Sequence, residues 1–410
     1  MISPVETSFF AFASDLLDEG IGSVLENVAG RAGAGGITIA AAYHHGRDIF
    51  PHNPVGKVRF LDGGAIFFRP DSRRYSELRL QPRVSRLAAQ SDVLADLCRE
   101  ASARSLSTRG WAVFLHNYAL GEAHPECACQ NVFGDALLTD LCPANPDVRA
   151  YVRALAGDIA SKGVAAVVAE SLHYHGLAHG FHHERYFIEL GTLGRFLLGL
   201  CFCDSCRMSA EGRGVDVDKL RYEVRLDLDN RFAGDPEPEP AELVREQVNG
   251  FAGGELGRYL ESRAETVASL VSEASRSAAD EGARLTFVDI SGAVKGFADG
   301  RPQGGPTSDI AWQFGIDLNV IAAACGQIEA IGYARDPQRL NLDLEAYRSI
   351  IGRQCRLSLI VRPMPPDCDA AENLAQKLAV AGEAGAVEVG FYHYGLMRLK
   401  SLDLVRAALG

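Results

Sequence analysis

Apolar, β-branched and aromatic residues fall in eight short runs along the chain, separated by amphipathic stretches with spaced charges. The runs cover 8–14, 36–43, 111–116, 164–170, 284–290, 328–333, 356–362 and 386–392. Most are apolar throughout and do not alternate, as expected for strands buried on both faces. Helical patterns lie between them at 86–105, 146–161, 255–280, 309–325, 343–353 and 369–382. The helix at 146 has the clearest start, with Asn145 as a cap and Pro146 at the first helical position. A strand-then-helix order carried through eight strands predicts an α/β fold, a (β/α)8 TIM barrel. A doubly wound open sheet is the alternative.

Three segments are longer than a barrel connection needs. Residues 47–75 contain a hairpin pattern, 58–61 with 65–68 around Asp62-Gly63-Gly64. Residues 118–141 form a long loop, and 171–283 hold helices interrupted by the acidic, proline-rich 235–240. No linker separates domains. Residues 1–410 are therefore expected to form one barrel domain, with insertions at 47–75 and 171–283. The extended loops follow strands 2, 3 and 4, on the face where such barrels carry their active sites.

A net charge of −12 and a pI near 5.4 argue against a broad basic surface for nucleic acid or an anionic membrane. The N-terminus lacks a basic signal region, and no apolar run is long enough to span a bilayer. Ten cysteines without a secretion signal fit a reducing compartment, so the expected location is cytoplasmic. No glycine-rich phosphate loop stands before a helix, so no nucleotide cofactor is expected. The sequence leaves open whether copies associate as a homo-oligomer.

The ends of the runs converge on polar groups. They include Tyr43-His44-His45, His116-Asn117, Glu170 with His173 beyond, Asp289, Tyr333 and Tyr392-His393. Burying such groups is costly unless they are paired or wet, so a ring of them reads as a site. A small carbohydrate substrate suits it. Tyr43, His44, His116, Asn117, His173, His182, Tyr333, Tyr392 and His393 offer ring faces for sugar C–H groups and polar atoms for hydroxyls.

Glu170 closes an apolar run. Oily neighbours would hold its carboxyl protonated near neutral pH, as a general acid requires. An ion pair with an arginine is the structural alternative. Glycoside hydrolysis normally needs a second carboxylate. Asp289 at a strand end and Glu329 within the sixth run are the candidates, with Asp15 an outsider.

His173-x-His175-x3-His179-x2-His182-His183 places five of eleven histidines in eleven residues. A catalytic metal there, serving a sugar isomerase, epimerase or lyase, is the rival to hydrolysis. The spacing is not that of a helical zinc peptidase, and Gly176 and Gly180 favour a loop. A barrel that binds carbohydrate without turning it over is a third reading.

Cys201-x-Cys203-x2-Cys206 with Cys142 offers four thiolates, the ligand set of a structural zinc site. Cys127 or Cys129 could replace Cys142, and a group of buried free thiols is the alternative.

Cys142-Pro143-Ala144-Asn145-Pro146, then Glu170, then Cys201-Phe202-Cys203-x2-Cys206 resembles the zinc-bearing β-galactosidases of glycoside hydrolase family 42, over roughly 110–210. The whole chain resembles a group of actinobacterial alanine-rich, glycosidase-like TIM-barrel proteins. That likeness lies in Ala42-Tyr43-His44, Leu115-His116-Asn117, Asn131-Val132-Phe133-Gly134-Asp135, His179-Gly180-x-His182-His183-Glu184 and Phe391-Tyr392-His393-Tyr394-Gly395. The resemblance to family 42 implies Glu170 as acid/base and zinc on the four cysteines. Two positions depart from that family. Ala169 stands where it has Asn, and the seventh run ends Val361-Arg362-Pro363 where it has its nucleophilic Glu.

Overall fold

The computed structural model describes residues 5–89, 91–177, 184–234 and 236–410. The eight apolar runs become eight parallel strands: β1 (Glu6–Ala11), β2 (Gly36–Tyr43), β3 (Ser107–Val113), β4 (Ala166–Glu170), β5 (Arg284–Asp289), β6 (Gln327–Ile331), β7 (Arg356–Val361) and β8 (Ala386–Phe391). Each pairs with the next, and β8 closes onto β1 with Glu6 opposite Glu388 and Phe9 opposite Phe391. The fold is the expected (β/α)8 barrel. Its strands are apolar because both faces are covered; β2 is buried at every position.

The helix Pro146–Ser161 starts as the sequence indicates. Asn145 Oδ1 accepts from the backbone N–H groups of Asp147 and Val148, at 2.9 and 3.2 Å. It packs on Glu255–Ala279, the helix that leads into β5.

Three elements differ from expectation. β3 begins at Ser107, four residues before the apolar run, because Arg109 points into the barrel. Arg109 Nη1 lies 3.1 Å from Glu329, its Nε 2.8 Å from Glu388, and its Nη2 donates to Ser8 Oγ at 3.0 Å. A buried charge with this many partners is tolerated inside a strand that reads as broken.

The hairpin in the first insertion pairs Gly46–Ile49 with Val58–Leu61, not 58–61 with 65–68. Ala65–Ile66 instead adds antiparallel to the end of β2, where both residues are fully buried. The helix expected at 309–325 is split. Thr307–Phe314 is a 3₁₀ segment, Gly315 turns the chain at φ 71°, and Leu318–Cys325 starts afresh from an Asp317 cap. Among the described residues no helix is long and apolar enough to cross a membrane.

Candidate active site

Glu170 ends β4 at the C-terminal mouth of the barrel, beside β3 with Val168 opposite Trp111. The Trp111 indole N–H donates to Glu170 Oε2 at 2.7 Å. Burial pushes the Glu170 carboxyl up to about 7, against the opposing pull of the Trp111 hydrogen bond and of His116. Its side chain nevertheless keeps some access to solvent.

An aromatic wall extends from this pair. The Trp111 ring centroid is 4.7 Å from Tyr43 and 5.9 Å from Tyr392, and Tyr333 follows 5.8 Å from Tyr392. The Tyr43 and Tyr392 hydroxyls lie 3.4 Å apart. Burial raises all three phenols, so they stay protonated as hydrogen-bond donors. Arg362, at the end of β7, stacks over Tyr333 at 4.3 Å. It is held by Asp367 through two contacts of 2.6 and 2.7 Å.

Histidines line the other side. His44 stacks on Tyr43 at 4.2 Å and approaches His116 at 5.3 Å. His116 is 5.6 Å from His175, which is 4.9 Å from His173. Asp140 Oδ1 joins His116 and His175, at 3.4 and 3.3 Å from their Nδ1 atoms. The sequence reading missed Asp140, which sits at the end of a short hairpin strand (Ala136–Leu141) with no apolar run to mark it.

The structure therefore brings Glu170, Tyr43, His44, His116, His173, Tyr333 and Tyr392 to one mouth. It gives four other expected residues different work. Asp289 is fully buried: its Oδ1 accepts from the Ser291 N–H and hydroxyl, and its Oδ2 from the Tyr347 hydroxyl at 2.7 Å. Tyr347 lies on the helix Pro337–Ile351 outside the strands, so Asp289 points away from the pocket. Glu329 is fully buried against Arg109 inside the barrel. Asn117 caps the helix Tyr118–Ala123 through the Leu120 N–H at 3.0 Å. His393 is buried against the Phe12 ring at 4.1 Å, with its Nδ1 accepting from the Gly395 N–H. Burial lowers it to about 3, which keeps it neutral. His182 lies outside the described residues.

Beside the mouth, the loops after β4 and β5 enclose a cleft of about 650 Å³. Leu177, Phe196, Leu243, Val294 and Phe314 line it, with Gln303, Gln313 and a Lys295–Glu242 ion pair as polar points. Phe314 packs 5.9 Å from the His173 ring, which places the cleft next to the site.

Cys142, Cys201, Cys203 and Cys206 are buried, with their sulfurs all within 4.8 Å of one another. From Cys142 the other sulfurs stand at 3.4, 3.5 and 3.9 Å. Tetrahedral zinc–thiolate bonds would set sulfurs roughly 3.8 Å apart, so the four residues fit a metal. Among the described residues this is the one His, Cys, Asp or Glu group close enough to share an ion. Cys142 takes the fourth position. The centre abuts the rim, since the Tyr174 hydroxyl contacts Cys206 Sγ at 3.2 Å and Asp140 lies two residues before Cys142.

No protein-family model matches the sequence, and no curated protein sequence matches it. Solved structures of similar shape exist. Alpha-L-fucosidase isoenzyme 2 from Paenibacillus thiaminolyticus aligns over 99% of this chain and 49% of its own, at 9% identity and a TM-score of 0.55. A beta-galactosidase from the psychrophilic Marinomonas ef1 aligns over 95% of this chain and 54% of its own, at 8% identity and a TM-score of 0.53. The chain thus spans about half the length of these structures. At such identities the likeness is one of fold.

Proposed function

We propose that this protein is a glycoside hydrolase acting on a small glycoside or oligosaccharide, with Glu170 as its general acid/base. The observation that carries this reading is a single one: a carboxyl at the barrel mouth, hydrogen-bonded by the Trp111 N–H and pushed by burial up to about 7. Such a carboxyl can deliver a proton to a glycosidic oxygen. Tyr43, Tyr333 and Tyr392 offer the sugar ring faces and hydroxyls, and His44, His116 and His173 the remaining polar contacts. The cleft beside His173 is large enough to take the leaving group.

The four cysteines hold structural zinc in this reading. They tie the hairpin that carries Asp140 to the loop after β4 and so fix His116 and His175. The order of cysteine, acid and cysteine cluster supports kinship with the family 42 enzymes, while Ala169 and Arg362 set the chain apart from them. The protein acts in the cytoplasm on a small carbohydrate, without nucleic acid or membrane.

The test is hydrolysis of a panel of 4-nitrophenyl glycosides by the purified full chain, repeated with Glu170→Gln. Release of nitrophenol from one sugar series, lost in the variant, supports the reading. A metal-dependent sugar isomerase, epimerase or lyase that uses the histidines from 173 to 183 is the second reading. Turnover of free aldoses that requires an added divalent ion, with no glycoside cleaved, would replace the first reading by the second.

A further inference from the structure

A glycosidic oxygen joins its sugar to a leaving group, which is either another sugar or an apolar alcohol. The cleft beside the mouth distinguishes the two. Its walls come from the loops after β4 and β5, two neighbouring strands, and Glu170 is the last residue of β4. His173 follows Glu170 by three residues, which span at most about 11 Å. The Phe314 wall meets that stretch directly. Its ring lies 5.9 Å from the His173 ring, and its carbonyl accepts from the Tyr174 N–H at 3.2 Å. A leaving group directed from Glu170 toward β5 enters this space.

The walls are apolar. Leu177, Phe196, Leu243, Val294, Ile310 and Phe314 line the cleft, and the Trp312 ring braces Phe196 at 5.4 Å. The polar side chains among them already serve the protein. The Lys295 ammonium donates to Glu242 at 2.8 Å and to the Gly305 carbonyl at 2.9 Å. The Thr192 hydroxyl is engaged by Glu239 and the Pro240 carbonyl. The side-chain amides of Gln303 and Gln313 donate to the carbonyls of Arg301 and Leu243.

A second sugar would carry several hydroxyls into a space whose donors are taken, and a hydroxyl buried without a partner is unfavourable. An apolar group needs no partners and gains by leaving water. The volume of about 650 Å³ falls in the range of sites for drug-sized ligands and exceeds the needs of a single phenyl ring.

We propose that this cleft is the leaving-group site and that it takes a large apolar aglycone, so that the protein cleaves glycosides of hydrophobic alcohols in preference to oligosaccharides. Glu170 gives its proton to the glycosidic oxygen as the bond from that oxygen to the anomeric carbon breaks. Water supplies hydroxide to the anomeric carbon, and its remaining proton restores the acid. The products are the free sugar and the hydrophobic alcohol.

This substrate class rests on the glycoside hydrolase reading. The experiment measures kcat/KM of the wild-type full chain for n-alkyl glycosides of the sugar it cleaves, from ethyl to octyl, and for disaccharides of that sugar. Straight-chain alcohols leave about equally well, so the series reads contacts rather than chemistry. A rise of about two- to fourfold per methylene is expected, with disaccharides cleaved at least tenfold more slowly than the octyl glycoside. Val294 is 46% exposed, so changing it leaves the core intact. Val294→Asp places a charge in the wall and should flatten the series. The wild-type series needs no variant and so does not depend on how Val294→Asp folds. A flat wild-type series, or a disaccharide preferred over the octyl glycoside, overturns the apolar aglycone and leaves the hydrolase reading standing. Cleavage of no glycoside overturns the hydrolase reading and takes this assignment with it.

Discussion

The indole N–H of Trp111 is 2.7 Å from Glu170 Oε2. The contact restrains a carboxyl that burial has pushed up to about 7, because a hydrogen bond to the charged form favours ionisation. A general acid works only while protonated, so kcat/KM should fall as pH rises through about 7. Trp111→Phe keeps the ring and removes the donor. Its alkaline limb should move to higher pH, by about 0.5–1 unit, in a pH profile of kcat/KM. An unmoved limb would separate Trp111 from the titration of the acid.

Arg109 bridges Glu329 and Glu388, and all three lie inside the barrel. Arg109→Leu strands two carboxylates, and urea unfolding should show a loss of about 3–5 kcal/mol. Glu329→Gln removes one of them and keeps the shape. It should lower the melting temperature by less than Arg109→Leu and leave kcat within about threefold of wild type, as expected of a group outside the reacting centre.

The barrel was legible because its strands are apolar on both faces, a pattern that survives in one sequence. What was hidden depends on partners distant in the chain. The third run is legible from 111 only, because Arg109 interrupts the apolar pattern and its partners Glu329 and Glu388 lie more than two hundred residues away. Glu170 could be singled out because its own strand supplies the oily setting. Asp289 looked equivalent at the end of β5, and only the Ser291 turn and the Tyr347 hydroxyl show that it faces outward. Asn117 and His393 carry the right chemistry for sugar binding, but local geometry turns them into a helix cap and a buried packing group. Asp140 lies on a short hairpin strand with no apolar run to mark it.

The cysteine centre predicts one zinc per chain by elemental analysis. Cys203→Ser should lower metal content and melting temperature together, because a structural metal contributes its binding energy to the fold. Since Asp140 shares the hairpin with Cys142, kcat/KM should fall as well. Full metal content in Cys203→Ser would contradict the ligand assignment.

Asp15 is fully buried in the first helix, and burial pushes its carboxyl up to about 7. A carboxyl raised in the folded state favours the fold while protonated, and that contribution is lost as pH rises from about 4 through about 7. Asp15→Asn keeps an oxygen for the Phe12 N–H and carries no charge. It should therefore melt above wild type at pH 8, by about 1–2 kcal/mol of stability, and close to wild type at pH 4.

The most direct measurement of the central claim is a leaving-group series with wild type and Glu170→Gln. It compares glycosides of one sugar from dinitrophenyl through nitrophenyl to simple alkyl. A good leaving group departs without a proton, so the variant should lose less than about tenfold on dinitrophenyl glycosides. It should lose at least about 10³-fold on alkyl glycosides, where the acid is needed. A loss that is uniform across the series, or absent, would contradict Glu170 as the general acid.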